Sequence, residues 1–157
     1  MPIYAPKTQD SDANPAGNSI VTKVLSPGTE PASTFNVSII AGGAAENIHF
    51  CTDTWLVSSD VWESGGTFSC KIRVTAISNM RVRCMIRRVG PDGSLLQSGT
   101  FTAFQTPAAG STTTFTPTVP TWTSNQENCG NRIAIRFNLD PILAGSAASI
   151  TIEVGTV

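Results

Sequence analysis

Charge is scarce in this chain. Asp, Glu, Lys and Arg make up 13% of its 157 residues, about half the usual quarter. Ten basic and 11 acidic residues give a formal net charge of −1, so no bulk field draws the chain to nucleic acid or to a membrane surface. Histidine occurs once, at His49. A Ser/His/Asp triad would have to use it, with Asp53 close by in sequence, but no nucleophile elbow accompanies them. His49 therefore reads as an ordinary strand or loop histidine. No run approaches the ~20 apolar residues that a membrane helix needs. The opening, Met1 to Asp10, lacks the basic stretch and apolar segment of a secretory signal. The expectation is a protein made in a cytoplasm, although a mature chain whose signal had been removed would read the same way.

Other absences narrow the chemistry. Cys51, Cys70, Cys84 and Cys129 show no CxxC spacing, which argues against a zinc knuckle. Cys70 and Cys84 read as buried free thiols. A disulfide through Cys51 or Cys129 is the alternative. No phosphate loop or dinucleotide fingerprint is present. Glu46, Asp53, Asp60, Glu63, Asp92, Glu127, Asp140 and Glu153 are scattered, and nothing singles out the facing pair that glycoside hydrolysis requires. Asp92 beside Gly93 lacks EF-hand spacing. No catalytic residue, cofactor or metal is assigned, and the expectation is a protein that is not an enzyme.

What fills the chain is Thr, Ser, 13 Gly and 10 Pro around a 40% hydrophobic fraction, a mix suited to short strands and turns. The alternation is clearest in the middle. Phe68, Cys70, Ile72, Val74 and Ala76 interleave with Ser69, Lys71, Arg73 and Thr75, and Val82, Cys84 and Ile86 with Arg81, Arg83, Met85 and Arg87. A period of two marks strands with one buried face and one wet face. With Ser78-Asn79 as a turn, the two runs are expected to form a central antiparallel pair.

Further strands are expected at 34–40, 47–52, 95–104, 112–117, 131–139 and 149–154, with Gly90-Pro-Asp-Gly-Ser94 as a turn. In the 131–139 run, Ile133, Ile135, Phe137 and Leu139 face inward. About eight short strands separated by turns point to an all-β fold, an antiparallel β-sandwich of jelly-roll type. Residues 1–33 carry Pro2, Pro6, Pro15, Pro27 and Pro31 and read as an extended N-terminal arm, with room for one edge strand at the apolar patch Ile20 to Leu25. The division expected is an arm over 1–33 and a sandwich domain over 34–157.

Two groups of residues stand out as candidate binding sites. Lys71, Arg73, Arg81, Arg83 and Arg87 fall on one face of the expected central pair. Arg132 and Arg136 would join them if the 131–139 strand lies in the same sheet. Like charges on neighbouring strands repel unless something neutralises them, and arginine suits forked pairing with carboxylates. One reading is a solvated face with internal acidic partners. The other is docking onto an acidic protein surface. Nucleic acid ranks below both, because few aromatics interleave the arginines. Trp55, Trp62 and Trp122 suit either stacking on sugar rings or plugging the ends of the sandwich or a subunit interface.

From Trp62 onward the pattern resembles small β-sandwich virion proteins of tailed phages. It does so through Gly66-Thr-Phe68, Arg87-Arg-Val-Gly-Pro-Asp-Gly93, Thr100-Phe-Thr-Ala103, and Trp122 ahead of Cys129-Gly-Asn-Arg-Ile-Ala-Ile-Arg-Phe137. The likeness is to accessory head proteins (decoration or cement subunits) or short tail-associated proteins. It implies a virion structural protein synthesised in a host cytoplasm. The subunit would be a homotrimer seated on the major capsid protein, with no nucleic-acid or membrane partner. The alternative function is a carbohydrate-binding module or receptor-binding tail domain.

Overall fold

A computed structural model of the chain describes residues 31–52, 68–92, 94–118 and 131–155, together with the backbone of 4–10 and 21–27. Every element among the described residues is a strand: β1 (Tyr4–Asp10), β2 (Val21–Pro27), β3 (Ser33–Ile39), β4 (Glu46–Thr52), β5 (Cys70–Ser78), β6 (Met80–Val89), β7 (Leu95–Ser98), β8 (Ser111–Phe115), β9 (Arg132–Pro141) and β10 (Ala148–Val154). The all-β expectation therefore holds. Strands β3 to β10 form two antiparallel four-stranded sheets. One has the order β3-β10-β5-β8 and the other β4-β9-β6-β7. The second grows to six strands because β2 pairs in parallel with β4, and β1 pairs antiparallel with β2.

The period-two patterns build a single interior between the sheets. Val37, Ile72, Val74, Ile150 and Ile152 from the four-stranded sheet meet Ile48, Val82, Cys84, Phe137 and Leu139 from the six-stranded one. Aromatic rings connect the two layers in edge-to-face contacts. Phe115 of β8 lies 5.7 Å from Phe137 of β9, Phe137 lies 6.0 Å from Phe50 of β4, and Phe50 lies 6.3 Å from Phe35 of β3. Each fully buried side chain of this size contributes about 1.5–3 kcal/mol before chain entropy is subtracted. The architecture is two-layered and sandwich-like.

The expected central hairpin is not there. β5 belongs to the four-stranded sheet and β6 to the six-stranded sheet, so Ser78-Asn79 is a corner between layers rather than a turn within one. Asn79 takes a left-handed conformation, φ 52°, which asparagine tolerates better than most residues. Its backbone and side chain hold the β9–β10 loop. Leu143 N donates to Oδ1 at 3.0 Å, Nδ2 donates to Ala147 O at 3.1 Å, and Ile142 N donates to Asn79 O at 3.0 Å.

Three further differences are local. A bulge at Thr75, where Thr151 faces Ala76 and Ile152 faces Val74, leaves Ala76 exposed and turns Ile77 inward. The return strand stops at Ser98 instead of running to residue 104. β4 is buried along nearly its whole length because it is an interior strand of its sheet.

Candidate functional site

On β6 the residues that face away from the core are the odd-numbered ones; on β9 they are the even-numbered ones. Register then sets rows across the outer face of the six-stranded sheet. Arg81 pairs with Asp140. Arg83 pairs with Asn138, which is opposite Asn47. Met85 pairs with Arg136, which is opposite His49. After β7 the chain continues along β6 without regular strand geometry. Gly99 N donates to Ile86 O, Thr102 N to Cys84 O and Gln105 N to Val82 O, each at 2.8 Å. This path swings Phe101 and Phe104 over the arginines.

The result is an alternating stack of guanidinium and ring. Arg81 lies over Phe104 at 4.3 Å from guanidinium carbon to ring centroid, and Arg83 over Phe104 at 4.5 Å. Arg83 also lies over Phe101 at 4.2 Å, and Arg136 over the same ring at 5.3 Å. Such contacts are worth about 0.5–1 kcal/mol at exposed sites and more when dry. Side-chain oxygens hold the edges of the guanidinium groups. Arg83 Nε donates to Asn138 Oδ1 at 2.9 Å, Arg136 Nε to Asn47 Oδ1 at 2.8 Å and Arg81 Nε to Asp140 Oδ2 at 2.7 Å.

Beside the stack the outer face becomes dry. His49, Cys51, Ala134 and Arg87 are buried. Arg87 Nη1 lies 3.4 Å from His49 Nε2. A guanidinium can only donate, so Nε2 is the acceptor and the imidazole proton is assigned to Nδ1. Burial, then the charges of Arg87 and Arg136, lower the His49 pKa to about 3, and the ring is neutral. Burial also lowers Arg87 to about 10, with Arg136 adding repulsion. Arg136 is lowered by burial and by Arg83.

The seven cationic residues singled out in the sequence do not share one surface. Lys71 and Arg73 project, exposed, from the four-stranded sheet on the other side of the molecule, and Arg73 pairs with Glu153 at 3.3 Å. Arg81, Arg83 and Arg136 are in the stack. Arg87 and Arg132 are buried, and Arg132 donates to Pro91 O at 3.2 Å. The split follows from the corner at Asn79, which sends β5 and β6 to different layers.

Phe101 and Phe104 escaped the sequence reading. Their spacing of three residues is a signal that this segment is not a plain strand, although it does not say which groups the rings cover. Trp55, Trp62 and Trp122 lie outside the described residues. Asp92 Oδ1 accepts hydrogen bonds from Ser94 N at 3.0 Å and Ser94 Oγ at 2.7 Å, closing its turn.

Among the described residues, no cluster of His, Cys, Asp and Glu is placed to hold a metal ion. No helix among them is long and apolar enough to cross a membrane. No family model matches the chain, and neither a curated protein nor a solved structure matches it.

Proposed function

We propose that the chain is a virion structural protein, a capsid decoration or cement subunit that bridges and stabilises neighbouring shell proteins. The observation that carries this reading is the strand order. We read the orders β3-β10-β5-β8 and β4-β9-β6-β7 as the two interlocked Greek keys of a jelly roll, an architecture used by viral capsid domains. The support is architectural, and it joins the resemblance that runs from Trp62 to the end of the chain.

The division of cations suits a bridging role. Arg73 and Arg81 already pair with Glu153 and Asp140, which leaves Lys71 on one outer face and Arg83 and Arg136 on the other to meet acidic groups of neighbours on either side. The rings of Phe101 and Phe104 hold the stacked guanidinium groups flat, which reduces the ordering cost of docking. The working unit is a homotrimer.

Co-sedimentation with expanded, empty capsid shells tests the reading. The protein is expected to pellet with the shells, and Arg83→Glu with Arg136→Glu to weaken binding at least tenfold. Protein left in the supernatant at every ratio would overturn it. Binding to a glycan array instead, lost on Trp122→Ala or Trp62→Ala, would favour the carbohydrate-binding alternative.

A further inference from the structure

Cys70 and Cys84 stand on opposite walls of the core. Cys70 opens β5 in the four-stranded sheet, and Cys84 lies in the middle of β6 in the six-stranded one. Both side chains belong to the interior between the layers, at 5% and 0% exposure. Register places Cys70 opposite Phe115 and Cys84 opposite Phe137, and those two rings meet across the interlayer space at 5.7 Å. The ring contact brings the two strand positions face to face, and Cys70 is a hydrogen-bonding neighbour of the Cys84 thiol. Both cysteines are free. Cys51, the third described cysteine, sits on the other side of the six-stranded sheet in a separate cluster with Val89 and Ala134, so the sheet stands between it and this pair.

We propose that Cys70 and Cys84 are an oxidation site, a dithiol that a small-molecule disulfide such as oxidised glutathione converts into a covalent bond between the two sheets. The inference stands apart from the virion reading. Packed sheets lie about 10 Å apart on average, and a disulfide needs Cα atoms within about 7 Å. Two thiols that already meet mark a place where the layers come close enough to be joined. The bond closes a loop of about 15 residues through the Asn79 corner, long enough to restrict the unfolded chain substantially. In the folded chain both sulfurs are dry, and burial keeps Cys84 protonated, so the reaction waits for an opening or for folding itself. Strand ends open first, and Cys70 is at one. Its thiolate attacks one sulfur of oxidised glutathione, the S–S bond of that molecule breaks, and one glutathione thiolate leaves. The Cys84 thiolate then attacks the Cys70 sulfur and displaces the second glutathione. The two cysteine protons end on the two departing thiolates, so two thiols are oxidised and one glutathione disulfide is reduced.

Refolding the full chain from urea into a mixture of oxidised and reduced glutathione at pH 8 tests this. Remaining thiols are then blocked with N-ethylmaleimide in denaturant, and the protein is digested with trypsin without reduction. The tryptic fragment Cys84-Met-Ile-Arg87 is expected to be linked to the fragment that ends at Cys70-Lys71, and dithiothreitol is expected to release it. Cys51 shares that second fragment, so variants assign the link. It is expected to persist in Cys51→Ser and to vanish in Cys70→Ser. The linked protein is expected to keep the circular dichroism spectrum of the reduced form and to melt about 5 °C or more above it, with the gain lost on reduction and absent in Cys70→Ser. Free thiols at both positions after oxidative refolding, glutathione adducts without a link, or a link that runs through Cys51 or Cys129 overturns the site. A linked product without the native spectrum overturns it too, because the bond then belongs to a misfolded chain.

Discussion

The backbone amide of Leu143 donates to Oδ1 of Asn79 across 3.0 Å, joining the corner where the chain leaves one sheet to the loop by which it later returns. Asn79 meets two demands there, a left-handed backbone and a side chain with both an acceptor and a donor. Replacement by glycine removes only the hydrogen bonds, each worth about 0.5–1.5 kcal/mol. Replacement by alanine also adds the left-handed penalty of about 1–2 kcal/mol. Urea denaturation is expected to rank stability as wild type, then Asn79→Gly, then Asn79→Ala. Equal losses for the two variants would show that the backbone conformation is not under strain.

The stack of Arg83 on Phe101 is expected to appear as a coupling energy. A double-mutant cycle with Arg83→Ala and Phe101→Ala should give about 0.5–1 kcal/mol. Arg83→Lys should lose much of it, because an ammonium lacks the flat face and the fork that reaches Asn138. A coupling near zero would mean that the rings merely rest on the arginines.

His49 makes stability depend on pH in a stated window. Its pKa is about 3 in the folded chain and about 6.5 when unfolded. Between those values the unfolded state binds a proton that the native state refuses, so the free energy of unfolding rises with pH. The contribution is complete above about 6.5 and fades as pH falls toward 3, at up to about 1.4 kcal/mol per pH unit. Denaturation midpoints at pH 7, 6, 5 and 4 should decline in the wild type. They should decline less in His49→Gln, which keeps an acceptor for Arg87 without titrating.

Cys70 and Cys84 sit in opposite sheets, beside Phe115 and Phe137 respectively. Burial, with Cys70 as a hydrogen-bond partner, raises the Cys84 pKa well above its ordinary value. The reactive species is the thiolate. In a Cys129→Ser background, Ellman's reagent at pH 8 is therefore expected to label no thiol in the native protein, with labelling appearing only as the chain unfolds. Fast labelling of the native state would show the core to be more open than its burial implies.

Ile72 and Arg73 are neighbours on β5 with opposite fates. Ile72→Ala empties a core position and is expected to cost about 2–5 kcal/mol. Arg73→Ser removes an exposed pair with Glu153 and is expected to cost less than about 1 kcal/mol. Thermal melts of the two variants check the contrast.

Most of the strands were legible because alternation reports which side of a strand is dry. Ile133 to Leu139 and Ile150 to Val154 show it directly. Alternation does not report which strand lies alongside, and that is why β5 and β6 looked like partners. The local signal at Ser78-Asn79 suits a hairpin as well as a corner, and only contacts with Leu143 and Ala147, more than sixty residues away, decide between them. The bulge at Thr75 escaped for the same reason, since it is set by register against β10. Arginine is read as a surface residue by default, so the burial of Arg87 and Arg132 had no warning in their own segments. The stack needed both the arginine rows, which were legible in part, and the path of 99–105, which was not.

In each sheet the strand that closes the middle comes late in the chain. β9 sits between β4 and β6, and β10 between β3 and β5. A ribosome must therefore release most of the polypeptide before either layer has a centre, and the edges of β4, β6, β3 and β5 that receive β9 and β10 wait unpaired. Nascent chains arrested before residue 131 are expected to remain protease-sensitive, and folding should start only when the last two strands emerge.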